Sequence, residues 1–274
     1  MTPAWALTVL PVLAAAASGA GPDAGTPPPA RLDAGGGVFL ASFPVESHVT
    51  GSIFAAAAPV AVTLRFDATQ ARASNELVRR LRVAIAADGS LVVSKLGYPV
   101  ARDKPTRQHL RPSFLIDYDE AAFKPALDEA RAALGATPSM DALVQFVNRF
   151  ILNKGFSRAF DIASVVARRR EGDCTEHAVM LAALARAFHF PARVAEAIVL
   201  IEADGAVRAF GHAWVEVYGG SGWRPADAAF PGHEPMVYLP LELVTDEGPG
   251  FSLSITQTGA GTIGVRRVVV ADRR

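Results

Sequence analysis

The sequence predicts an α+β fold. A helical part, with a cysteine at the start of a buried helix, packs on an antiparallel sheet, and a smaller β-rich region precedes it. Three observations predict it. The single cysteine among 274 residues, Cys174, opens a run to His189 made mostly of Ala, Leu, Val, Met and Phe, the composition of a buried helix. Helical periodicity with an apolar stripe runs through the segment before it. Strand-like segments separated by glycine-containing turns follow it.

Half of the residues are apolar, so a chain of this length can bury a sizeable core. Lys plus Arg is 27 and Asp plus Glu is 27, which gives a formal net charge of zero. That balance points away from nucleic acid and from anionic membranes as partners.

Residues 1–20 read as a signal peptide. Ala4 to Ala17 is apolar and uncharged, and Ser18-Gly19-Ala20 supplies small residues for cleavage. Lys and Arg are absent from its first residues, a departure from the usual pattern. The apolar run is shorter than the roughly 20 residues that cross a bilayer. The expectation is export to a periplasmic or secreted location with no stable membrane span after cleavage; an uncleaved anchor is the alternative. No cysteine follows the apolar run, so a lipoprotein-type N-terminus is not expected. A lone thiol cannot form an internal disulfide, and in an oxidising compartment it asks for a use.

Residues 21–37, rich in Gly, Pro, Ala and Asp, read as a flexible linker. Residues 38–111 read as β-rich, with strands at Val38–Phe43 and Val60–Phe66. Leu77–Ile85 alternates, and Leu91–Val93 follows the Asp88-Gly89 turn. Arg102, Lys104, Arg107 and Arg111 read as a solvated connector. A helix is expected over Glu120–Leu134. Another begins near Ser139, with Leu143, Phe146, Val147, Phe150 and Ile151 on one face. Asp161 is placed to cap a short helix through Val165 and Val166, with Arg168-Arg169-Arg170 in its last turn.

The Cys174 helix has Asp173 as N-cap and Glu176 reaching back, a capping box, and Pro191 beyond its end. Strands are expected at Ala192–Glu202, Val207–Tyr218 and Trp223–Phe230, with turns at Asp204-Gly205 and Gly219–Gly222. Residues 246–274 read as a C-terminal extension whose segments Phe251–Ile255 and Thr262–Val270 suit a β-hairpin.

A thiol at a helix N-terminus lies where negative charge is favoured, a setting that lowers a thiol pKa. A thiol nucleophile needs a base, and the base needs an orienting group. His212 lies in Gly211-His212-Ala213-Trp214 and Asp227 on the next strand segment. A two-residue loop at Gly219-Gly220 would set them directly opposite, and a loop over Gly219–Gly222 would make them diagonal neighbours on one face. His177, one helical turn after Cys174, reads as a packed neighbour and as the lesser candidate for the base. A buried cysteine is also an ordinary small apolar residue, and a strand histidine beside Trp and Val is also a packing residue. The spacing of Glu176, His177, His212 and Asp227 is not that of a metal site. No metal and no cofactor are expected.

The run Gly172-Asp173-Cys174-Thr175-Glu176-His177-Ala178 is followed by Leu181–Leu184 and Phe190-Pro191-Ala192-Arg193-Val194. Then come Gly211-His212-Ala213-Trp214-Val215-Glu216-Val217 and Trp223-Arg224-Pro225-Ala226-Asp227. Together these resemble the bacterial transglutaminase-like domain over residues 112–245, most strongly from Asp161 to Phe230. The resemblance implies a papain-like fold with Cys174, His212 and Asp227 as a catalytic triad. Asp173, Glu176, His177 and Trp214 are expected beside it. Where the family often has Val-Asp-Pro, this chain has Ala226-Asp227-Ala228. The implied chemistry is attack on an amide or peptide bond through a thioester, ending in acyl transfer or hydrolysis. The expected partner is a protein or peptide substrate, with cell-envelope material as one source. A cysteine peptidase or amidase without transferase activity, and a non-catalytic scaffold on the same fold, are the alternatives.

Overall fold

The most apolar segment becomes the central helix. In the computed structural model, Cys174–Ala187 is helical, and every residue from Cys174 to Arg186 is buried. A helix apolar all round has to sit inside, packed on all sides. Val179, Met180, Leu181 and Leu184 have no exposed surface. Each contributes about 1.5–3 kcal/mol by leaving water. The structure describes residues 41–43, 45–48, 52, 60–66, 84–85, 91–93, 103–155, 161–203, 205–231, 236–243, 247–248 and 265–272. The expected signal peptide and linker lie outside them, as do residues 38–40, 77–83 and Phe251–Ile255. The described residues belong to one compact unit, Arg31–Arg274.

Among the described residues, a 3-10 turn (Arg107–Leu110) and three α-helices precede the central one: α1 (Lys124–Leu134), α2 (Met140–Phe150) and α3 (Ala163–Arg169); the central helix is α4. The first starts later than Glu120 because residues 118–123 form turns and Pro125, which suits a helix start, stands in the first turn. Ser139 caps α2, its side chain accepting from the Ala142 N–H at 3.1 Å. Leu143, Val144, Phe146, Val147 and Phe150 are its buried face, much as the stripe predicted.

The expected cap of α3 is corrected. Ile162 occupies the N-cap position without a side-chain bond. The carboxylate that serves this end is Asp117, whose Oδ1 accepts from the Ser164 N–H at 2.7 Å. Asp161 instead lies 3.6 Å from the Arg169 guanidinium. Arg169 also pairs with Glu171, while Arg170 pairs with Glu129 and lies 4.2 Å over the Phe150 ring. Two of the three consecutive arginines are thus held by the protein's own carboxylates.

The strands are β1 (Ala41–Phe43), β2 (Val45–Ser47), β3 (Val60–Phe66), β4 (Ala84–Ile85), β5 (Leu91–Val93), β6 (Asn153–Lys154), β7 (Glu171–Gly172), β8 (Ala192–Ala203), β9 (Ala206–Tyr218), β10 (Trp223–Ala226), β11 (Val237–Leu243) and β12 (Val265–Asp272). One sheet runs β1-β9-β8-β11, with β10 also on β9, and these pairings are all antiparallel. A second runs β2-β12-β3-β5-β4. The strand β12 lies between β2 and β3. The short pair β6-β7 leads directly into α4.

The long hairpin β8-β9 aligns Val194 with Val215 and Ala192 with Val217. These residues join the core cluster that includes the apolar side chains of α4. The opposite parity of β9 carries Phe210, His212, Trp214 and Glu216, all buried. Strand β10 ends at Ala226 rather than at Phe230, and the cause is Asp227. Its Oδ1 accepts from the Ala229 and Phe230 N–H groups at 2.9 and 3.2 Å, which turns the chain off the ladder. Pro225 is tolerated because β10 is an edge strand.

The basic connector is tethered more than expected. Trp223 Nε1 donates to the Asp103 carbonyl at 2.8 Å, and Arg193 Nη1 reaches the Asp103 carboxylate at 2.8 Å. Arg186, buried in the last turn of α4, binds the Arg111 and Ala192 carbonyls and both oxygens of Glu247.

Candidate active site

Cys174 is the first residue of α4 and has no exposed surface. The cap ahead of it is a network of buried groups. The Asp173 Oδ1 accepts from the Thr175 N–H at 2.8 Å and from its hydroxyl at 2.6 Å. Glu176 Oε2 accepts from the Asp173 N–H at 2.9 Å, and its Oε1 from the Asp161 N–H at 3.1 Å. The capping box expected from the sequence is present. The Cys174 N–H takes no part in it.

Burial pushes the Cys174 thiol well above its ordinary value, and the neighbouring acidic side chains Asp173, Asp227 and Glu176 act in the same direction, Asp173 once it is ionised. The Ala213 backbone N–H, directed at the sulfur, works the other way. This corrects the expectation of a lowered thiol pKa. Cys174 is fully buried, so the water that would solvate a thiolate is gone, and this loss outweighs the favour of the helix end. The resting group is a neutral thiol.

Asp173 is itself displaced. Burial and the neighbouring Glu176 carboxylate push its carboxyl up to about 8. The folded protein holds that proton up to about pH 8, whereas the unfolded chain releases it near pH 4. The folded state therefore binds more protons across that window, and stability falls as pH rises through it. Asp173→Asn mimics the protonated side chain and keeps an oxygen for the Thr175 N–H. Urea titrations between pH 5 and 8 should show wild type losing up to about 1.4 kcal/mol per pH unit relative to the variant. Parallel stability curves would refute the raised Asp173 carboxyl.

His212 lies on β9, one residue before Ala213, whose backbone N–H acts to lower the Cys174 thiol. Its Nε2 donates to Asp227 Oδ2 at 2.7 Å, and both side chains are buried. The hairpin register pairs Trp223 with Tyr218 and Ala226 with Val215, the Gly219–Gly222 loop rather than the two-residue one. Asp227 is then the diagonal, same-face neighbour, and its carboxylate still reaches the ring. Burial works to raise the Asp227 carboxyl, but the His212 charge and hydrogen bonds from His212, Tyr238 and Ala229 outweigh it. The carboxyl lies below its usual range. From β9 it is the Ala213 backbone N–H that acts on the Cys174 sulfur, favouring the ionised form.

His177 is not drawn into this pair. Its Nδ1 donates to the Asp173 carbonyl at 2.6 Å, and burial lowers its pKa to about 4, so it stays neutral. Trp214 is fully buried, its ring 6.1 Å from that of His212. Two neighbours of the pair escaped the sequence reading. Phe230 sets its ring 5.3 Å from the His212 ring, and Tyr238 donates its hydroxyl to Asp227 Oδ2 at 3.0 Å. Tyr238 lies on β11, where Pro240 breaks the alternation that would have marked a strand. Among the described residues no cluster of three or more His, Cys, Asp or Glu could hold a metal ion, and no helix is long and apolar enough to cross a membrane.

A cysteine at the start of a buried helix, beside a strand that carries a histidine bound to a carboxylate, defines a thiol-protein fold of the papain-like class. Residues 131–228 match the transglutaminase-like superfamily, and this segment is a transglutaminase-like domain. No curated protein matches the sequence. Among solved structures, a candidate cysteine protease from Cytophaga hutchinsonii is 21% identical, with a TM-score of 0.36 over 46% of this chain and 42% of that one. The periplasmic domain of TgpA from Pseudomonas aeruginosa, bound to ethylmercury, is 18% identical, with a TM-score of 0.35 over 64% of this chain and 69% of that one. The family match, not these partial overlaps, carries the identification.

Proposed function

We propose that this protein is an exported thiol enzyme that takes an acyl group from an amide or peptide bond through a thioester on Cys174. The observation that carries the proposal is the buried His212–Asp227 pair at 2.7 Å, with His212 next in sequence to Ala213, whose backbone N–H acts to lower the Cys174 thiol. With Nε2 committed to Asp227, Nδ1 is the nitrogen that takes the thiol proton. The sulfur attacks the carbonyl carbon as the S–H proton moves to His212, because the resting thiol is neutral. Asp227 fixes the tautomer and supports the imidazolium that forms. The Cys174 N–H, at the helix start and outside the capping box, is available to the developing oxyanion, together with a second donor. The imidazolium then protonates the leaving amine, the C–N bond breaks, and the thioester remains. Water completes hydrolysis, and an amine completes transfer. Either acceptor returns its proton through His212 and restores the thiol.

The substrate is a protein or peptide, with cell-envelope material the class that suits export. Export rests on the uncharged, apolar run of Met1–Ala20. A non-catalytic scaffold is the competing reading, and the full burial of Cys174 favours it to the extent that substrate must displace a cover.

Iodoacetamide labelling of Cys174 between pH 5 and 9 tests the proposal. In the wild type, the rate should climb with pH and then level off. In His212→Ala it should drop at least tenfold at neutral pH and climb without a plateau. Burial slows both proteins alike, so the comparison reads the base and not access. Identical profiles would remove His212 as the base and leave the scaffold reading.

A further inference from the structure

The fourth side chain at this site belongs to an edge strand that the proposed chemistry has not used. We propose that Tyr238 is a positioning residue for the triad: its phenol holds Asp227 Oδ2 in common with His212, so that β11 sets how the carboxylate grips the imidazole. This rests on the reading of Cys174, His212 and Asp227 given above and extends it.

The geometry is closed around the carboxylate. Oδ1 accepts two backbone N–H groups, from Ala229 at 2.9 Å and Phe230 at 3.2 Å. Oδ2 accepts His212 Nε2 at 2.7 Å and the Tyr238 hydroxyl at 3.0 Å. Four donors fix both the position and the plane of the group. Tyr238 reaches it because the sheet register aligns Tyr238 with Val199 and Val199 with Phe210. That puts Tyr238 on the same face as Phe210, His212 and Trp214. Its ring lies 5.0 Å from Trp214 and 6.5 Å from His212, so packing holds the phenol in place as well. The other titratable groups that feel Asp227 are Cys174 and His177 on α4, and His177 stays neutral.

A hydroxyl donating to Oδ2 draws off charge that would otherwise bind the imidazolium. Its removal leaves His212 as the sole side-chain donor to that oxygen, so the carboxylate holds the imidazolium harder. In Tyr238→Phe the inflection of the Cys174 labelling profile should therefore move up, by on the order of half a pH unit. A tyrosine that only packs would lower Tm and leave the inflection in place. Should the Phe variant fail to fold, protein made with 3-fluorotyrosine gives the opposite test. Its phenol is a stronger donor, and the inflection should move down. The other described tyrosines bond elsewhere, Tyr118 to the Leu110 carbonyl and Tyr218 to the Gly220 carbonyl. An unmoved inflection in a wild type that otherwise responds to His212→Ala overturns the role of Tyr238 alone. A wild type that does not respond to His212→Ala overturns the triad and this role with it.

Discussion

Asp227→Asn should slow acylation of Cys174 by about a thousandfold or more while the fold survives. The reason lies in which oxygen is already spoken for. Oδ1 must accept from the Ala229 and Phe230 N–H groups, so an asparagine at 227 keeps its oxygen there. Its NH2 group then replaces Oδ2 and faces His212 Nε2 and the Tyr238 hydroxyl. A donor now meets a donor. The ring relieves this only by moving its proton to Nδ1, the nitrogen that the proposal needs as the base. Single-turnover acylation by p-nitrophenyl acetate, followed by intact-protein mass, measures the loss. A variant within tenfold of wild type would mean that the carboxylate does not set the tautomer.

Gly172→Ala should cost about 3 kcal/mol or more, through two effects that add. Gly172 has φ of 154°, which side chains rarely adopt, and a Cβ built there would lie 2.2 Å from Glu176 Cβ and 2.4 Å from its Cγ. The clash is with the stem of a side chain that cannot swing away, because Glu176 caps the helix through the Asp173 N–H and holds the Asp161 N–H. Thermal unfolding reads the first loss. Cys174 labelling reads a second, because a displaced Glu176 releases the start of α4. A variant that melts with the wild type would contradict the close packing of β7 on the capping box.

The parts of the fold that were legible in the sequence are those in which local chemistry and burial agree. The run from Cys174 to Ala187 is too apolar to be anything but core, and Asp173 and Glu176 mark its start. Strands β8 and β9 were legible because Asp204-Gly205 separates two apolar runs. His212 and Asp227 were legible as a pair because either short loop leaves them on one face. What stayed hidden depends on distant groups. Asp117 serves the start of α3 from 47 residues away, which no local window contains. The ladder ends at Ala226 because Asp227 turns its other oxygen to the backbone, and sequence does not say which acceptor wins. Tyr238 and its strand were masked by Pro240. The thiol was misread for a physical reason. A helix N-terminus favours a thiolate only where the charge can be solvated, and Cys174 is fully buried.

The central claim is that an acyl group passes through the Cys174 sulfur. The direct measurement is intact-protein and peptide mass spectrometry of the wild type, Cys174→Ser and His212→Ala after acid quenching with a cell-envelope peptide extract. The account predicts a hydroxylamine-sensitive acyl adduct on the peptide containing Cys174 in the wild type, and none in either variant. An equal adduct in His212→Ala, or turnover of the same peptides by Cys174→Ser, would contradict it.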